Sequence, residues 1–326
     1  MSKLASGRIP SYPRGEDHTS NGEDSTVRIA ITGSSGLLGQ ALTERLTALG
    51  HEILALKRSR GTSPGRAHWN PRRGEIDAEA LEGQDAVIHL AGEPISSDRW
   101  TPAKKARIRD SRVKGTQLLA EGLAGLSLKP RILICASAVG YYGDRGEELC
   151  AEADPPGRGF LAETCAAWEA AAEAARRARI TTLHLRIGMV LSPDGGALAR
   201  MLPFFRFGLG GPLAGGDQYW SWIALPDLVN LIVHYLTHEC ESGPVNAVAP
   251  EPMPSRDFAR TLGRVLHRPA VLPIPGFALK LMLGEMADEL LLASARALPF
   301  RAQSDGFAFS HATLEEALLQ ALRPVR

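Results

Sequence analysis

The chain reads as an α/β protein built on a doubly wound parallel sheet, with a smaller, mostly helical region after it. Three observations predict this. Short apolar runs alternate with helical patterns of 12 or more residues. A Gly-rich turn stands between the first run and the first helix. The spacing becomes less regular and more helical toward the C-terminus. At 326 residues, the chain has room for one large or two modest domains, at roughly 100–200 residues each.

The elements follow in order. Residues 1–26 are dominated by Gly, Pro, Ser and charges without apolar periodicity, and are expected to form a disordered leader. No apolar core of a secretory signal stands there, and its acidic residues fit poorly with a transit peptide. Val27–Ile31 is the first strand. Leu37, Leu38, Ala41, Leu42, Leu46 and Leu49 then recur at helical spacing until Gly50. Glu52–Leu56 is a second strand, Asp85–Leu90 a third, Lys104–Gly122 a helix and Arg131–Ala136 a fourth strand. Leu161–Arg177 is an Ala-rich helix and Thr182–Ile187 a fifth strand. Phe207–Gly216 holds five Gly in ten residues and suits a loop. Helices are expected at Pro226–Thr237, Ser255–Leu266, Ala278–Leu292 and Thr313–Leu322. The expected organisation is a dinucleotide-binding domain over 27–250 and a helical domain over 251–326.

Composition excludes several functions. With 37 Lys+Arg against 36 Asp+Glu, the chain is poorly suited to neutralising nucleic-acid phosphates or anionic lipid. No apolar run approaches the roughly 20 residues that span a bilayer. Four scattered Cys form no disulfide framework or zinc pattern, which points to a reducing, cytoplasmic setting. His234 and His238 lie four apart without a third ligand at a telling spacing, so no metal is expected. The expected partner is a small-molecule substrate, without nucleic acid or membrane.

The strongest motif is Thr32-Gly33-Ser34-Ser35-Gly36-Leu37-Leu38-Gly39, placed between a strand and a helix. Gly33 permits a tight turn, Gly36 lets the backbone approach a pyrophosphate, and Gly39 allows close helix–sheet packing. The helix N-terminus then offers free N–H groups to phosphate. An NAD site would carry Asp or Glu at the end of the second strand. Here Lys57-Arg58 stand instead, and cations there favour the 2′-phosphate of NADP(H). Leu90, Ala91 and Gly92 end the third strand, where small residues let the backbone pass beside a cofactor. His89 reads as a core histidine or a catalytic one.

The string T-G-x-x-G-x-x-G followed by D-A-V-I-H-L-A-G resembles the extended short-chain dehydrogenase/reductase superfamily, in its nucleotide-sugar epimerase branch. More specific strings are A-G-E-P-I at Ala91–Ile95, S-R-V-K-G-T at Ser111–Thr116, S-A-V-G-Y-Y-G at Ser137–Gly143 and W-E at Trp168–Glu169. To these are added G-L-G-G-P-L at Gly208–Leu213, Q-x-x-x-W-I-x-x-x-D from Gln218 to Asp227, L-G-E-M-A at Leu283–Ala287 and G-F-x-F at Gly306–Phe309. Together they resemble an epimerase-family subgroup described as NADP-dependent oxidoreductases, some members of which are described as cell-division inhibitors. The resemblance implies that Gly33, Ser34, Gly36, Leu37 and Leu38 hold the pyrophosphate and that Lys57 and Arg58 meet the 2′-phosphate. Leu90, Ala91 and Gly92 line the cofactor path. Arg112 stands near the cofactor in place of the usual Asn, and Val190 near the nicotinamide. Fold analogy also suggests a homodimer through helices.

The superfamily moves a hydride with a Tyr, a Lys four residues on, and a Ser. Ser137 stands where that Ser belongs, whereas the matching stretch for the pair reads Phe160-Leu161-Ala162-Glu163-Thr164. Phe cannot transfer a proton and Thr cannot supply positive charge. Tyr141 and Tyr142 follow Ser137 and are either replacement acids or packing residues. Glu169 is either an acid/base group or a helix-face charge. Glu93, Gln218 and Trp222 are candidate substrate contacts, and Asp227 a wall residue or helix cap. Two functions follow: an NADP(H)-dependent oxidoreductase or epimerase acting on a small carbonyl or hydroxyl compound, and a cofactor-binding regulatory protein with little catalysis.

Overall fold

The computed structural model describes residues 26–59 and 64–323; the expected leader up to residue 25 lies outside them. The strands are β1 (Arg28–Thr32), β2 (Glu52–Lys57), β3 (Arg66–Asn70), β4 (Glu75–Ile76), β5 (Ala86–His89), β6 (Ile132–Ala138) and β7 (Leu149–Cys150). They continue with β8 (Thr181–Ile187), β9 (Met189–Leu191), β10 (Tyr219–Trp220), β11 (Trp222–Ala224), β12 (Gly243–Ala247), β13 (Met253–Pro254) and β14 (Arg296–Ala297). Eight of them form one sheet in the order β12-β8-β6-β5-β1-β2-β3-β4. Every neighbouring pair is parallel except the β3/β4 edge. The order reverses between β1 and β5, the switch point where ligands bind beyond the strands' carboxyl ends.

Alternation along β1 explains the two layers. Ile29 and Ile31 face α1 (Leu37–Ala48) and α6 (Leu225–Thr237), packing with Leu42, Leu46, Leu228 and Ile232. Ala30 faces the opposite layer of α2 (Pro102–Ala124) and α4 (Glu173–Arg177), with Leu119, Leu123 and Ala175. Helix α2 begins earlier than expected because Thr101 caps it, accepting from the Lys104 N–H, and Pro102 fits the first turn. The expected helix over 161–177 is two: α3 (Phe160–Ala170) and α4, parted at Ala171–Ala172 without a Gly or Pro to mark the break.

The strands β3, β4 and β12 and the helix α5 (Gly196–Arg206) were not expected from periodicity. Phe207–Gly216 is a loop. Beyond it come α7 (Ser255–Val265), α8 (Gly276–Leu283), α9 (Glu285–Ala287), a π turn at Asp288–Leu292, α10 (Phe300–Ser304) and α11 (Leu314–Ala321). The expected helix over 278–292 is interrupted because Gly284 sits at φ +63°, outside helical geometry. Helices α5, α7 and α11 share one core, made of Leu198, Leu202, Phe205, Trp222, Phe258, Leu262, Leu314 and Leu318. Among the described residues, no helix is long and apolar enough to cross a membrane.

Candidate functional site

The first half of the site is made of backbone. Gly33 turns at φ +73°, and a Cβ there would stand 2.8 Å from Ala91 N and Leu90 C, so the turn lies directly on the end of β5. A Cβ on Gly39 would stand 2.2 Å from Gly33 O, so the first turn of α1 is pressed onto the loop. Gly36 differs: only Gly33 O comes near its vacant Cβ position, at 3.4 Å. As the N-cap it has no side chain to occupy the N–H groups of α1, and the first turn holds no acidic residue. The open face of a helix N-terminus is thus left to an anion. Leu37 packs near Gly195, in the turn after β9, where Val190 sits.

Lys57, the last residue of β2, reaches back over this turn and donates from Nζ to Ser34 Oγ at 2.8 Å. Arg58 is exposed, and among the described residues no carboxylate pairs with it. Thr32 and His89 end the two strands at the switch point. Thr32 Oγ1 accepts from the Leu90 and Ala91 N–H groups and shares a hydrogen bond of 2.7 Å with His89 Nδ1, while His89 Nε2 is buried without a hydrogen-bond partner among the described residues. His89 is fully buried, which pushes its pKa down to about 4, with the Arg112 charge adding to the effect. It remains neutral at neutral pH and braces the switch point.

The second half is a side-chain network. Ser137, near the carboxyl end of β6, donates to Glu169 Oε1 at 2.7 Å. Arg186, opposite Ser137 on β8, grips the same carboxylate with Nε and Nη2, both at 2.9 Å. Its Nη1 donates to the Tyr142 hydroxyl and to Glu152 O, each at 3.0 Å. The Arg186 side chain is only 3% exposed. Burial works against its charge, but the Glu169 carboxylate outweighs this and the pKa lies above the ordinary value.

Of the two expectations for Tyr142, the network fits the packing one. Its hydroxyl is buried 2.6 Å from Asn246 Oδ1 and 3.0 Å from Ala151 O, and burial pushes its pKa up to about 12. It is a post that joins β6, β8 and β12, not an acid facing a ligand. Tyr141 is half-buried with the Arg186 guanidinium 3.4 Å from its ring centroid; burial raises its pKa too. Glu169, expected as an acid/base group or a helix-face charge, is the shared acceptor of Ser137 and Arg186.

The register of α3 also differs from the expected one. Phe160 and Thr164 border a surface cavity of about 210 Å³ with Lys105, Ala106 and Arg109 of α2. The face turned to β6 carries Leu161 against Gly140, and Cys165 and Glu169 one and two turns further on. Leu161 and Cys165 thus share the face of Glu169, the partner of Ser137, whereas Phe160 and Thr164 do not, and neither register holds a Tyr or Lys. Cys165 is buried, which pushes its thiol pKa up to about 12. Arg112 of α2 packs against α3, its guanidinium between Gly92 and the Trp168 ring, and Nη1 donates to Glu93 O at 3.0 Å.

The three substrate candidates are elsewhere engaged. Glu93 accepts from the buried Lys104 at 2.9 Å, with Arg107 and Arg72 nearby, and these cations hold its carboxyl below the usual range. It ties the 91–98 loop to α2. Gln218 Nε2 donates to Leu213 O and Leu291 O, stitching the Gly-rich loop to the C-terminal region. Trp222 is fully buried in the core under α5 and donates to Glu251 O. Asp227 is buried as well and does not cap α6; it accepts from the Ser310 and His311 N–H groups. His234 and His238 stack at 4.1 Å, and their ring nitrogens face backbone carbonyls.

Sheet order, switch point and Gly-rich turn define a Rossmann-type nucleotide-binding protein of the extended short-chain dehydrogenase/reductase kind. The chain belongs to the NAD dependent epimerase/dehydratase family, whose profile matches residues 29–248. Residues 274–321 match a second profile, Domain of unknown function (DUF1731). An epimerase family protein of Mycobacterium leprae is 41% identical, over 90% of this chain and 95% of its own. The human epimerase family protein SDR39U1 is 34% identical, over 90% and 98%. The crystal structure of human SDR39U1 (isoform 2) with NADPH superposes with a TM-score of 0.82, at 32% identity, covering 90% of this chain and 99% of that one. A nucleoside-diphosphate sugar epimerase from Corynebacterium glutamicum superposes at 0.74, with 34% identity over 92% of this chain and 59% of the other.

Proposed function

We propose that this chain binds NADP(H) in the groove between the Gly-rich turn and the end of β5, and that it works chiefly as a cofactor-binding protein with little hydride turnover. The first part rests on Lys57, held over the uncapped N-terminus of α1 by its bond to Ser34, with Arg58 beside it. The human relative crystallised with NADPH supports the same reading. Gly33, Ser34, Gly36, Leu37 and Leu38 would hold the pyrophosphate, Lys57 and Arg58 the 2′-phosphate, and Leu90, Ala91 and Gly92 the path beyond. Arg112 and Val190 belong toward the nicotinamide end. Bound NADP(H) supplies a hydride acceptor or donor.

The second part rests on one observation: the single hydrogen of Ser137 is engaged with Glu169. Ser137 then has only lone pairs to offer a ligand and cannot donate to a carbonyl oxygen. Glu169 is neutralised by Arg186, and Tyr142 is buried behind them. Three groups that could have served hydride transfer as acid or base, Ser137, Glu169 and Tyr142, are thus engaged with one another or with Arg186.

A second reading, an oxidoreductase or epimerase acting on a small carbonyl or hydroxyl compound, is favoured by Tyr141. Half-buried on the turn after Ser137 and close to a guanidinium, it is the tyrosine left near the site for proton transfer. NADPH and NADH titrations, followed by a panel of carbonyl and hydroxyl compounds, separate the readings. Tight NADPH binding without turnover supports the binding protein; turnover abolished by Tyr141→Phe supports the enzyme. Equal affinity for NADPH and NADH would overturn the cofactor assignment. The four free cysteines fit a reducing, cytoplasmic setting.

A further inference from the structure

Helix α3 carries Glu169, which takes the Ser137 hydroxyl hydrogen, yet it has no cap of its own. Its N-cap is Gly159, at φ +105°. The first-turn N–H groups are instead taken by a residue 129 positions away. Glu289, in the π turn after α9, accepts from Phe160 N with Oε1 and from Leu161 N with Oε2, both at 2.7 Å. A Cβ on residue 159 would stand 2.8 Å from Glu289 Oε1, so the glycine makes room for this carboxylate. A carboxylate also suits the positive end of a helix.

The same C-terminal segment holds two more elements around the site. Glu285, one helical turn earlier, pairs with Lys105 of α2 at 2.6 Å. Arg99, which follows the 91–98 loop, donates to Leu281 O at 3.1 Å. Residues 281–289 thus grip the loop, α2 and α3 together. All three grips lie within the region matched only by a domain of unknown function.

We infer that Glu289 is a positioning residue: by capping α3 it holds Leu161, Cys165 and Glu169 against the end of β6 and so sets Ser137 for the nicotinamide end of the groove. The C-terminal region is in this way coupled to the cofactor site, and the ligand side of the inference rests on the NADP(H) reading above. The coupling is one-sided. The Gly-rich turn and Lys57 belong to β1, α1 and β2, which Glu289 does not touch, so the phosphate end is set independently of it.

The test uses the full chain and two probes: NADPH, which fills both ends of the groove, and 2′,5′-ADP, which fills only the adenosine 2′-phosphate end. Glu289→Ala is expected to weaken NADPH about tenfold, a size usual for coupling through packed elements, and to leave 2′,5′-ADP within about twofold. Unchanged NADPH affinity, or equal loss for both probes, overturns the inference. If Glu289→Ala does not fold, amide hydrogen exchange on the wild-type chain decides. NADPH is expected to slow exchange at Phe160 and Leu161 more than 2′,5′-ADP does, and equal protection overturns the inference. A wild-type chain that binds neither probe refutes the NADP(H) reading alone. The positioning claim then stands or falls on unliganded exchange, which Glu289→Ala should speed across 160–169 and at Ser137 while sparing α1.

Discussion

The two ends of the groove are built on different principles. At the phosphate end the parts are backbone: Gly33, Gly36 and Gly39 shape a turn, and α1 offers its unpaired N–H groups. At the other end the parts are side chains from three separate elements, β6, α3 and β8, joined through one largely buried carboxylate. The first construction depends on the absence of Cβ atoms within seven residues. The second depends on charge pairing across the sheet. A backbone site tolerates change in its surroundings and little change in itself, whereas a buried ion-pair network fails wherever one partner is removed.

The sharpest way to break this contrast is Glu169→Ala. It strands the Arg186 guanidinium in a buried setting and is expected to cost about 3–5 kcal/mol of stability, read by urea denaturation. Glu169→Gln, which keeps the shape but loses the charge, should fall between it and the wild type. Destabilisation of less than about 1 kcal/mol would mean that the network is no more than a surface pair.

A pH titration of stability probes the boundary between the two ends. The folded pKa of His89, about 4, lies below the ordinary 6.5 because burial disfavours its charge. Its contribution is therefore fully present above about pH 6.5 and is lost as pH falls toward 4, by about 3 kcal/mol in all. His89→Gln should flatten the stability–pH curve over that window. An identical slope in the variant would remove His89 from the account.

At the phosphate end, Gly33→Ala places a side chain against Ala91 in a backbone conformation with positive φ, and about 2 kcal/mol of stability should go with it. NADPH binding should be lost as well, by fluorescence titration. A folded Gly33→Ala chain that still binds NADPH would show that the turn is not the phosphate cradle. Arg58→Glu is a gentler change, expected to weaken NADPH about tenfold, the contribution of one charge-assisted hydrogen bond, with NADH nearly unaffected. Smallest is Tyr141→Phe, for which stability within about 0.5 kcal/mol of wild type is expected.

Much of the phosphate end could be read in the residues directly. The strand, the turn and the helix are contiguous, and each glycine answers a local steric demand. The other end was legible only in part. Ser137 was placed by its motif, but the residue facing it was not, because a helix of Ala, Leu, Thr and Cys shows no clear face. The structure turns Leu161, Cys165 and Glu169 inward. Tyr142, Trp222, Glu93 and Gln218 have chemistry that suits a site and partners that engage it elsewhere. One signal was available: Arg186 interrupts the apolar strand L-H-L-R-I, and a charge in a buried strand requires a partner. Glu289 carried no comparable mark.

By itself the sequence determined the doubly wound sheet, the Gly-rich turn between β1 and α1 and the basic residues at the end of β2. These depend on periodicity and on steric rules that act within a few residues. Only the tertiary structure decided which side chains meet. Ser137 lies 32 residues from Glu169, Glu169 lies 17 from Arg186, and Glu289 lies 129 from the helix end it caps. Buried charges and open helix ends each require a partner, but the requirement does not say where along the chain that partner stands. The packing of the sheet and the C-terminal segment makes that choice.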